Sequence, residues 1–175
     1  MTKDLDRKHL LIVGGKRDDR HEFLNDLISG TNKQVYRLSP NLRTFDEYIE
    51  QVRKLFPFVP TNWKEQNPKN WTRNQVWDFH LDWTENTHSI LIIIEEFGEM
   101  EPNWKVEIIR HYIQTSYYQE GQNSGRLNFQ LIVTQDKEDG LVDKIIPVFG
   151  LLDNEKRTEE QVILGKVKVI NLDQA

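Results

Sequence analysis

The chain has 175 residues, of which 29% are charged and 37% hydrophobic, and its net charge is −5. This length suits one globular domain, and no apolar run approaches the roughly 20 residues of a membrane span. The absence of cysteine excludes disulfides, thiolate metal sites and cysteine nucleophiles. Because residues 1–8 are charged and lack the apolar core of a secretory signal, we expect a cytoplasmic protein that does not engage a membrane.

The first third of the chain predicts strands and helices in alternation. Short apolar runs bounded by turn residues indicate strands, and apolar residues spaced three and four apart indicate helices. In chain order these are a strand over 9–13, a helix around 23–28, a strand over 34–38 and a helix over 45–56. Thr44 with Glu47 three places later forms a capping box, which predicts where the last of these helices begins.

Residues 57–75 are polar and rich in Asn, Lys, Pro and Trp, so we predict an irregular insertion here. The following residues 76–83 leave two interpretations open. Their strict apolar–polar alternation favours a strand. Val76, Phe79 and Trp83 also fit one face of a helix, and a second capping box just before them favours that interpretation.

The remaining chain continues the alternation. The patterns predict a strand over 89–94, a helix over 102–118, a strand over 127–134, a short helix over 141–149 broken at Pro147, and a last strand over 166–171. Strands that alternate with helices indicate a parallel sheet with helices on both faces. The predicted fold class is therefore α/β, a three-layer sandwich with a mainly parallel five-stranded sheet.

The turn after the first strand has the outline of a phosphate-binding loop. Val13 is followed by Gly14-Gly15, a charged stretch and a helix, whereas a working loop reads G-x-x-x-x-G-K-[ST]. With Gly14 as the first glycine, the last three motif places hold Asp19, Arg20 and His21. A second register, with Gly15-Lys16 as the Gly-Lys pair, leaves no room for the four-residue loop.

Two later strand ends complete a pattern. The apolar residues 91–94 run into Glu95-Glu96, and the next strand ends at Thr134. This order resembles the P-loop ATPases that carry an additional strand between their nucleotide motifs, the AAA+ and related group. The resemblance spans about 9–172. It implies that 1–175 is a single degenerate P-loop NTPase-like domain without the C-terminal helical lid of that group.

The resemblance also implies roles for individual residues. Positions that would contact nucleotide are Gly14, Gly15, Lys16, Arg20 and Thr134. Glu95 stands where an acid orients the magnesium shell, and Glu96 stands where an acid activates water. Asp19, beside Asp18, adds negative charge where a polyanion would lie, at a cost on the order of several kcal/mol per like-charge pair at about 4 Å.

The mismatches at the last three places of the phosphate-loop motif leave three functional hypotheses. The leading hypothesis is a non-catalytic interaction or regulatory module that retains the scaffold, has lost the phosphate loop and needs no cofactor. The alternative is an atypical ATPase that binds ATP with magnesium through Arg20, Glu95 and Glu96. A weaker alternative is a subunit of a clamp-loader-like complex that processes nucleic acid, although the net charge and the lack of a dense basic run do not support it.

Two further clusters have a structural and a functional interpretation. All five tryptophans fall within 63–104, where they form either core packing or a surface for a protein partner. Asp78, His80, Asp82 and His88 are metal-capable side chains, but no second cluster completes a ligand set, so a solvated polar face is favoured.

Overall fold

The computed structural model describes residues 8–84, 89–120, 129–145 and 167–174. The strands are β1 (His9–Val13), β2 (Gln34–Arg37), β3 (Ile90–Ile94), β4 (Phe129–Thr134) and β5 (Val167–Asn171). The α-helices are α1 (Arg17–Ile28), α2 (Phe45–Leu55), α3 (Thr61–Lys64), α4 (Arg73–Thr84), α5 (Pro102–Glu120) and α6 (Leu141–Ile145). Short 3₁₀ turns occur at Pro68–Asn70 and Phe97–Glu99.

The five strands form one sheet in the order β2-β3-β4-β1-β5, and all four pairings are parallel. The three inner strands are buried along their whole length, whereas β2 and β5 at the edges are partly exposed. Strands that are covered on both faces read as continuous apolar runs. The predicted α/β class with a five-stranded parallel sheet is therefore confirmed.

Helices cover both faces of the sheet and create two cores. The larger core lies against α2, α4 and α5, and the smaller one lies under α1. α2 begins as predicted, because the Glu47 amide donates to Thr44 Oγ1 over 3.2 Å and the Glu47 carboxylate accepts from the Thr44 amide. Because every strand is parallel, all carboxyl ends lie at one edge, where open α/β sheets place their sites.

Residues 76–83 belong to a helix, α4, and not to a strand. The Thr72 amide donates to Gln75 Oε1 over 2.8 Å, and the Gln75 amide donates to Thr72 Oγ1 over 3.3 Å. Val76, Phe79 and Trp83 are completely buried on one side of the helix. The cap and the helical apolar face decide between the two interpretations that the alternating pattern left open.

The segment 57–75 contains helix α3 and a 3₁₀ turn. Trp63 and Trp71 lie inside it, 7% and 9% exposed, with ring centroids 5.0 Å apart. The Trp63 indole N–H donates to Asp82 of α4 over 2.8 Å. Trp83 is completely buried as well, so these three indoles form core packing and are not available to a partner. The polar residues of 57–75 are the exterior of this aromatic cluster.

Some predictions concern residues outside the described ranges. These are the break at Pro147 and the role of His88. Among the described residues, no helix is both long enough and apolar enough to cross a bilayer.

Candidate functional site

The carboxyl edge of the sheet brings the predicted site residues together. β1 and β4 are neighbours, and the Gly14 amide donates to the Asp136 carbonyl over 3.0 Å just beyond the two strands. β3 lies on the other side of β4, so Glu95 and Glu96 follow beside Thr134. The strand order alone therefore places the glycine turn, the two acids and Thr134 at one edge.

The connection between β1 and α1 is shorter than the sequence motif predicts. It consists of Gly14, Gly15 and Lys16, and α1 begins at Arg17. Both glycines have positive φ, +76° and +63°, which is the left-handed region that glycine adopts without strain. Asp19, Arg20 and His21, the places of the Gly-Lys-Ser/Thr triplet, are consequently helical residues and not loop residues.

The amides of this turn already have acceptors within the chain. Besides the Gly14 bond to Asp136, the Gly15 amide donates to Asp173 Oδ1 over 2.9 Å. The Lys16 amide donates to Asp19 Oδ2 over 2.7 Å. The Asp19 carboxylate thus lies at the start of α1, where an acid satisfies amides and interacts favourably with the helix dipole. Lys16 itself is exposed and contributes its backbone to the turn.

Arg20 connects the glycine turn to Glu96 at the carboxyl edge of the sheet. Its side chain points back under the turn, where Nη1 donates to the carbonyls of Gly14 over 3.0 Å and Gly15 over 2.9 Å. Its Nε and Nη2 donate to Glu96 Oε1 and Oε2 over 2.9 Å and 2.8 Å. Arg20 is only 4% exposed. The hydrogen bond to Glu96 raises the pKa of Arg20, so the guanidinium remains charged.

Glu96 is held in an unusual conformation. Its backbone is left-handed, with φ 53° and ψ 56°, which costs a non-glycine residue on the order of 1 kcal/mol. The Glu96 amide donates to Thr134 Oγ1 over 2.9 Å, and Thr134 is 1% exposed. Thr134, which the resemblance places in contact with nucleotide, thus holds the backbone of Glu96, the acid at the predicted water-activating position.

Glu95 belongs to a second cluster beside the first. Its Oε1 lies 2.9 Å from Arg37 Nη2 and 2.7 Å from His21 Nδ1. Arg37 also donates to Asn25 Oδ1 over 2.8 Å. The Glu95 side chain is 11% exposed, whereas that of His21 is 55% exposed. Glu95, predicted to orient magnesium, and Glu96, predicted to activate water, are therefore both paired with cationic or cation-capable side chains.

Arg37 is a site residue that the sequence reading missed. It ends β2, and β2 pairs with β3 in the register Arg37↔Ile93, which places it beside the Glu95 strand end. The sequence does show Arg37 as a charged residue at the carboxyl end of a strand, where sites are placed in this kind of sheet. To assign Arg37 to the site, the position of β2 beside β3 must also be known, and local sequence patterns do not provide it.

The metal-capable cluster around His80 does not assemble. Asp78 is exposed, and Asp82 accepts the Trp63 indole. His80 is buried, with Nδ1 2.8 Å from the Val76 carbonyl and Nε2 2.9 Å from the Tyr48 hydroxyl. Across the described parts of the chain, no three His, Cys, Asp or Glu side chains are placed to hold a metal ion.

The pKa of His80 is lowered to about 4, because burial disfavours the imidazolium. Since a carbonyl only accepts, Nδ1 carries the proton and Nε2 accepts from Tyr48. The Tyr48 hydroxyl in turn lies 2.6 Å from that of Tyr112. His111, whose pKa burial lowers to about 2, has its ring centroid 5.2 Å from that of His80. This neutral network joins α2, α4 and α5.

No protein-family model and no curated protein matches the sequence, whereas solved structures do. A chain in the structure of Drosophila ORC bound to AT-rich DNA and Cdc6 is similar, with a TM-score of 0.53 and 12% identity over 96% of this chain and 49% of that chain. A chain in the structure of Drosophila ORC bound to GC-rich DNA and Cdc6 has a TM-score of 0.51 and 13% identity over 96% of this chain and 50% of that chain. The fold is P-loop NTPase-like. The structure of a Walker-type ATPase of Pyrococcus abyssi has a TM-score of 0.47 and 13% identity over 94% of this chain and 49% of that chain. The chain thus spans about half the length of these chains.

The polarity of the turn is the reverse of what this fold uses to hold phosphate. A P-loop cradles phosphate with inward-pointing amides and a lysine. Here the carbonyls of Gly14 and Gly15 point at the Arg20 guanidinium. A phosphate in its place would face two carbonyl oxygens and the Glu96 carboxylate. As arranged, the two carbonyl oxygens and the Glu96 carboxylate surround the Arg20 guanidinium.

Proposed function

We propose that this chain is a non-catalytic, P-loop NTPase-like interaction or regulatory module, which keeps the scaffold without the phosphate chemistry. The observation that carries the proposal is the position of Arg20. Its guanidinium hydrogen-bonds the Gly14 and Gly15 carbonyls and the Glu96 carboxylate. To bind a triphosphate, the chain would have to break these buried and partly buried bonds and leave Glu96 without its cation, which costs several kcal/mol.

The second acid supports the same proposal. Magnesium in this fold needs a carboxylate with free oxygen ligands and several waters. Glu95 is held by Arg37 at 2.9 Å, and a dication there would replace or repel that guanidinium. We therefore assign no cofactor to the module, and we expect it to act in the cytoplasm through a macromolecular partner.

Isothermal titration calorimetry with Mg-ATP tests the proposal. We expect no saturable heat for the native chain at millimolar nucleotide, which corresponds to binding weaker than about −4 kcal/mol. The matched variant is Arg20→Ala, which removes the guanidinium. Micromolar binding by the native chain that disappears in Arg20→Ala would contradict the proposal, because Arg20 would then be a nucleotide ligand.

An atypical ATPase is the second candidate, and one observation favours it. Glu96 is kept in a left-handed conformation by Thr134, and such strain is common at sites that perform chemistry. In this alternative Arg20 exchanges Glu96 for a phosphate, and the released Glu96 activates water. Phosphate release from ATP that is lost in Glu96→Gln would support it, whereas equal background rates for both chains would exclude it.

A further inference from the structure

One surface differs in charge from the rest of the molecule. Residues 53–75 contain five basic side chains and a single acidic one, Glu65, although the whole chain has a net charge of −5. We call the exterior of this segment the basic ledge, formed by Lys54, Lys64, Lys69 and Arg73, whereas the side chain of Arg53 is only 10% exposed. Lys54, Lys64 and Lys69 are exposed, and the Arg73 side chain is 78% exposed. The excess of positive charge is therefore presented to solvent.

The basic ledge rests on a fixed support. The Arg53 guanidinium donates through Nη2 to the Gln66 carbonyl and lies 5.7 Å from the centroid of the Trp71 ring. Below it, Trp63 packs on Trp71 and donates to Asp82. These contacts hold the last turn of α2, the segment 63–71 and α4 together, so the backbone that carries the basic side chains has a defined arrangement.

The lysines of the ledge form no ion pair with a described carboxylate, although Glu65 follows Lys64 directly in the sequence. No described carboxylate lies within 4.0 Å of Lys54, Lys64 or Lys69, whereas Arg73 has Glu107 at 3.6 Å and Arg53 has Glu50 at 3.2 Å. Exposed amide side chains, which both donate and accept hydrogen bonds, lie between the charges. They are Asn62, Gln66, Asn67, Asn70, Asn74 and Gln75.

The chemistry of the ledge fits a phosphate backbone better than a protein surface. Protein interfaces have buried aromatic or aliphatic side chains at their centre. On the ledge the candidates for that role, Trp63, Pro68 and Trp71, point into the core. Apart from Pro57 and Glu65, the exposed side chains are Lys, Arg, Asn, Gln and Thr. These are side chains that contact phosphates and sugars without reading sequence.

We infer that the basic ledge binds the phosphate backbone of a nucleic acid, independently of base sequence. This inference names a partner class for the interaction module, and in that respect it rests on the proposed function. The charge is local, so the net charge of the chain and the absence of a dense basic run in its sequence did not reveal it. With about three phosphate contacts, the affinity would be in the weak, non-specific range of roughly 10⁻⁴–10⁻⁶ M.

Fluorescence anisotropy with labelled DNA tests the inference. The probes are a duplex of about 30 base pairs and a single strand of the same length, titrated from about 25 to 200 mM NaCl. We expect the logarithm of the association constant to fall linearly with the logarithm of the salt concentration. The slope should be near −3 for the duplex and somewhat smaller in magnitude for the single strand. The variant Lys54→Gln/Lys64→Gln/Lys69→Gln should lower the affinity at least tenfold and reduce the slope by about 2 to 3.

The matched control removes the same charge elsewhere. Lys137, Lys144 and Lys168 are also exposed, and Lys137→Gln/Lys144→Gln/Lys168→Gln should change the affinity by no more than about twofold. The single variant Lys69→Gln, a minimal change on the surface, should reduce the slope by about 1. Circular dichroism of each variant confirms the same fold.

Three outcomes would overturn the inference. These are no binding to either probe at about 25 mM salt, an equal loss in the control variant, and binding of poly-glutamate as tight as that of DNA with the same lysine dependence. The last outcome would assign the ledge to an acidic protein. Calorimetry with Mg-ATP is independent of all three, so failure of the ledge and failure of the proposed function are distinguishable.

Discussion

Arg20 of α1 and Glu96 beyond β3 form a two-point ion pair, with Nε 2.9 Å from Oε1 and Nη2 2.8 Å from Oε2. Their side chains are 5% and 15% exposed. Because Arg20 also holds the carbonyls of Gly14 and Gly15, one guanidinium ties the glycine turn to the acidic strand end. In a bidentate pair both the energy and the orientation are set by the planar guanidinium, which lysine cannot reproduce.

The ion pair predicts strong coupling between its two members. Arg20→Met leaves Glu96 partly buried without a cation and should lower the free energy of unfolding by about 3 kcal/mol. Glu96→Gln alone should lower it as well. The double variant should lose less than the sum of the two, because neither group is then an unpaired charge. Urea denaturation of the four chains measures this, and strictly additive losses would contradict the pairing.

A side chain at Gly14 would displace the side chains of Asn171 and Asp173 and would strain the backbone. A Cβ there would lie 2.4 Å from Asn171 Oδ1 and 2.6 Å from Asp173 Oδ2, and φ is +76°. Gly14→Ala should therefore destabilise the chain by about 2 kcal/mol or more. Gly30→Ala is the matched control, since a Cβ at Gly30 meets nothing within 4 Å. Thermal unfolding compares them, and equal shifts of Tm would contradict the tight packing of the turn.

Thr134 acts on Glu96 through one hydrogen bond. Thr134→Val keeps the shape of the side chain but removes the acceptor of the Glu96 amide, which should lower stability by about 1 to 2 kcal/mol. Thr134→Ser retains the hydroxyl and should lose less through this bond. Urea midpoints of the two variants give the difference, and a Val variant as stable as the Ser variant would mean that the bond contributes nothing.

The fold was predictable from the sequence because its inner strands are unusually clear. Residues 90–94 and 9–13 are continuous apolar runs, as strands covered on both faces must be, and both strands occur where predicted. Residues 76–83 were ambiguous because alternation and helical spacing coincide over so short a segment. The burial of Trp63 and Trp71 was not predictable, since it depends on how a polar segment folds over α2 and α4.

The site was predictable in composition but not in contacts. The resemblance named Gly14, Arg20, Glu96 and Thr134 as site residues, and the observed strand order brings them to one edge because parallel strands end together. The resemblance placed Arg20 among the positions that would contact nucleotide, and the structure shows its guanidinium bonded to the turn carbonyls and to Glu96. The difference arises from the length of the turn, since α1 begins at Arg17 and turns the motif positions into helix. Helix starts are set by contacts such as Asp19 to the Lys16 amide.

The buried histidines predict an acid-sensitive fold. The pKa of His80 is about 4 when folded, below its ordinary value near 6.5, so the unfolded chain binds a proton first as pH falls. The contribution of His80 is complete above pH 6.5 and is lost between pH 6.5 and 4, at about 1.4 kcal/mol per pH unit. His111 adds to the same trend because its folded pKa is lower still.

Urea unfolding at pH 7, 6 and 5 measures this dependence. We expect His80→Gln, which can still accept from Tyr48, to show a flatter loss of stability over this range than the native chain. Parallel slopes for the native chain and the variant would contradict the assignment of the proton uptake to His80.

In the proposed function, Arg20 occupies the place at which a nucleotide would have to bind. Proton–nitrogen correlation spectra report this directly through the amides of Gly14, Gly15 and Lys16, which donate to Asp136, Asp173 and Asp19. On addition of Mg-ATP to millimolar concentration, we predict that these three signals do not move. Saturable shifts of all three at micromolar nucleotide would contradict the account, because the turn would then be a working phosphate-binding loop.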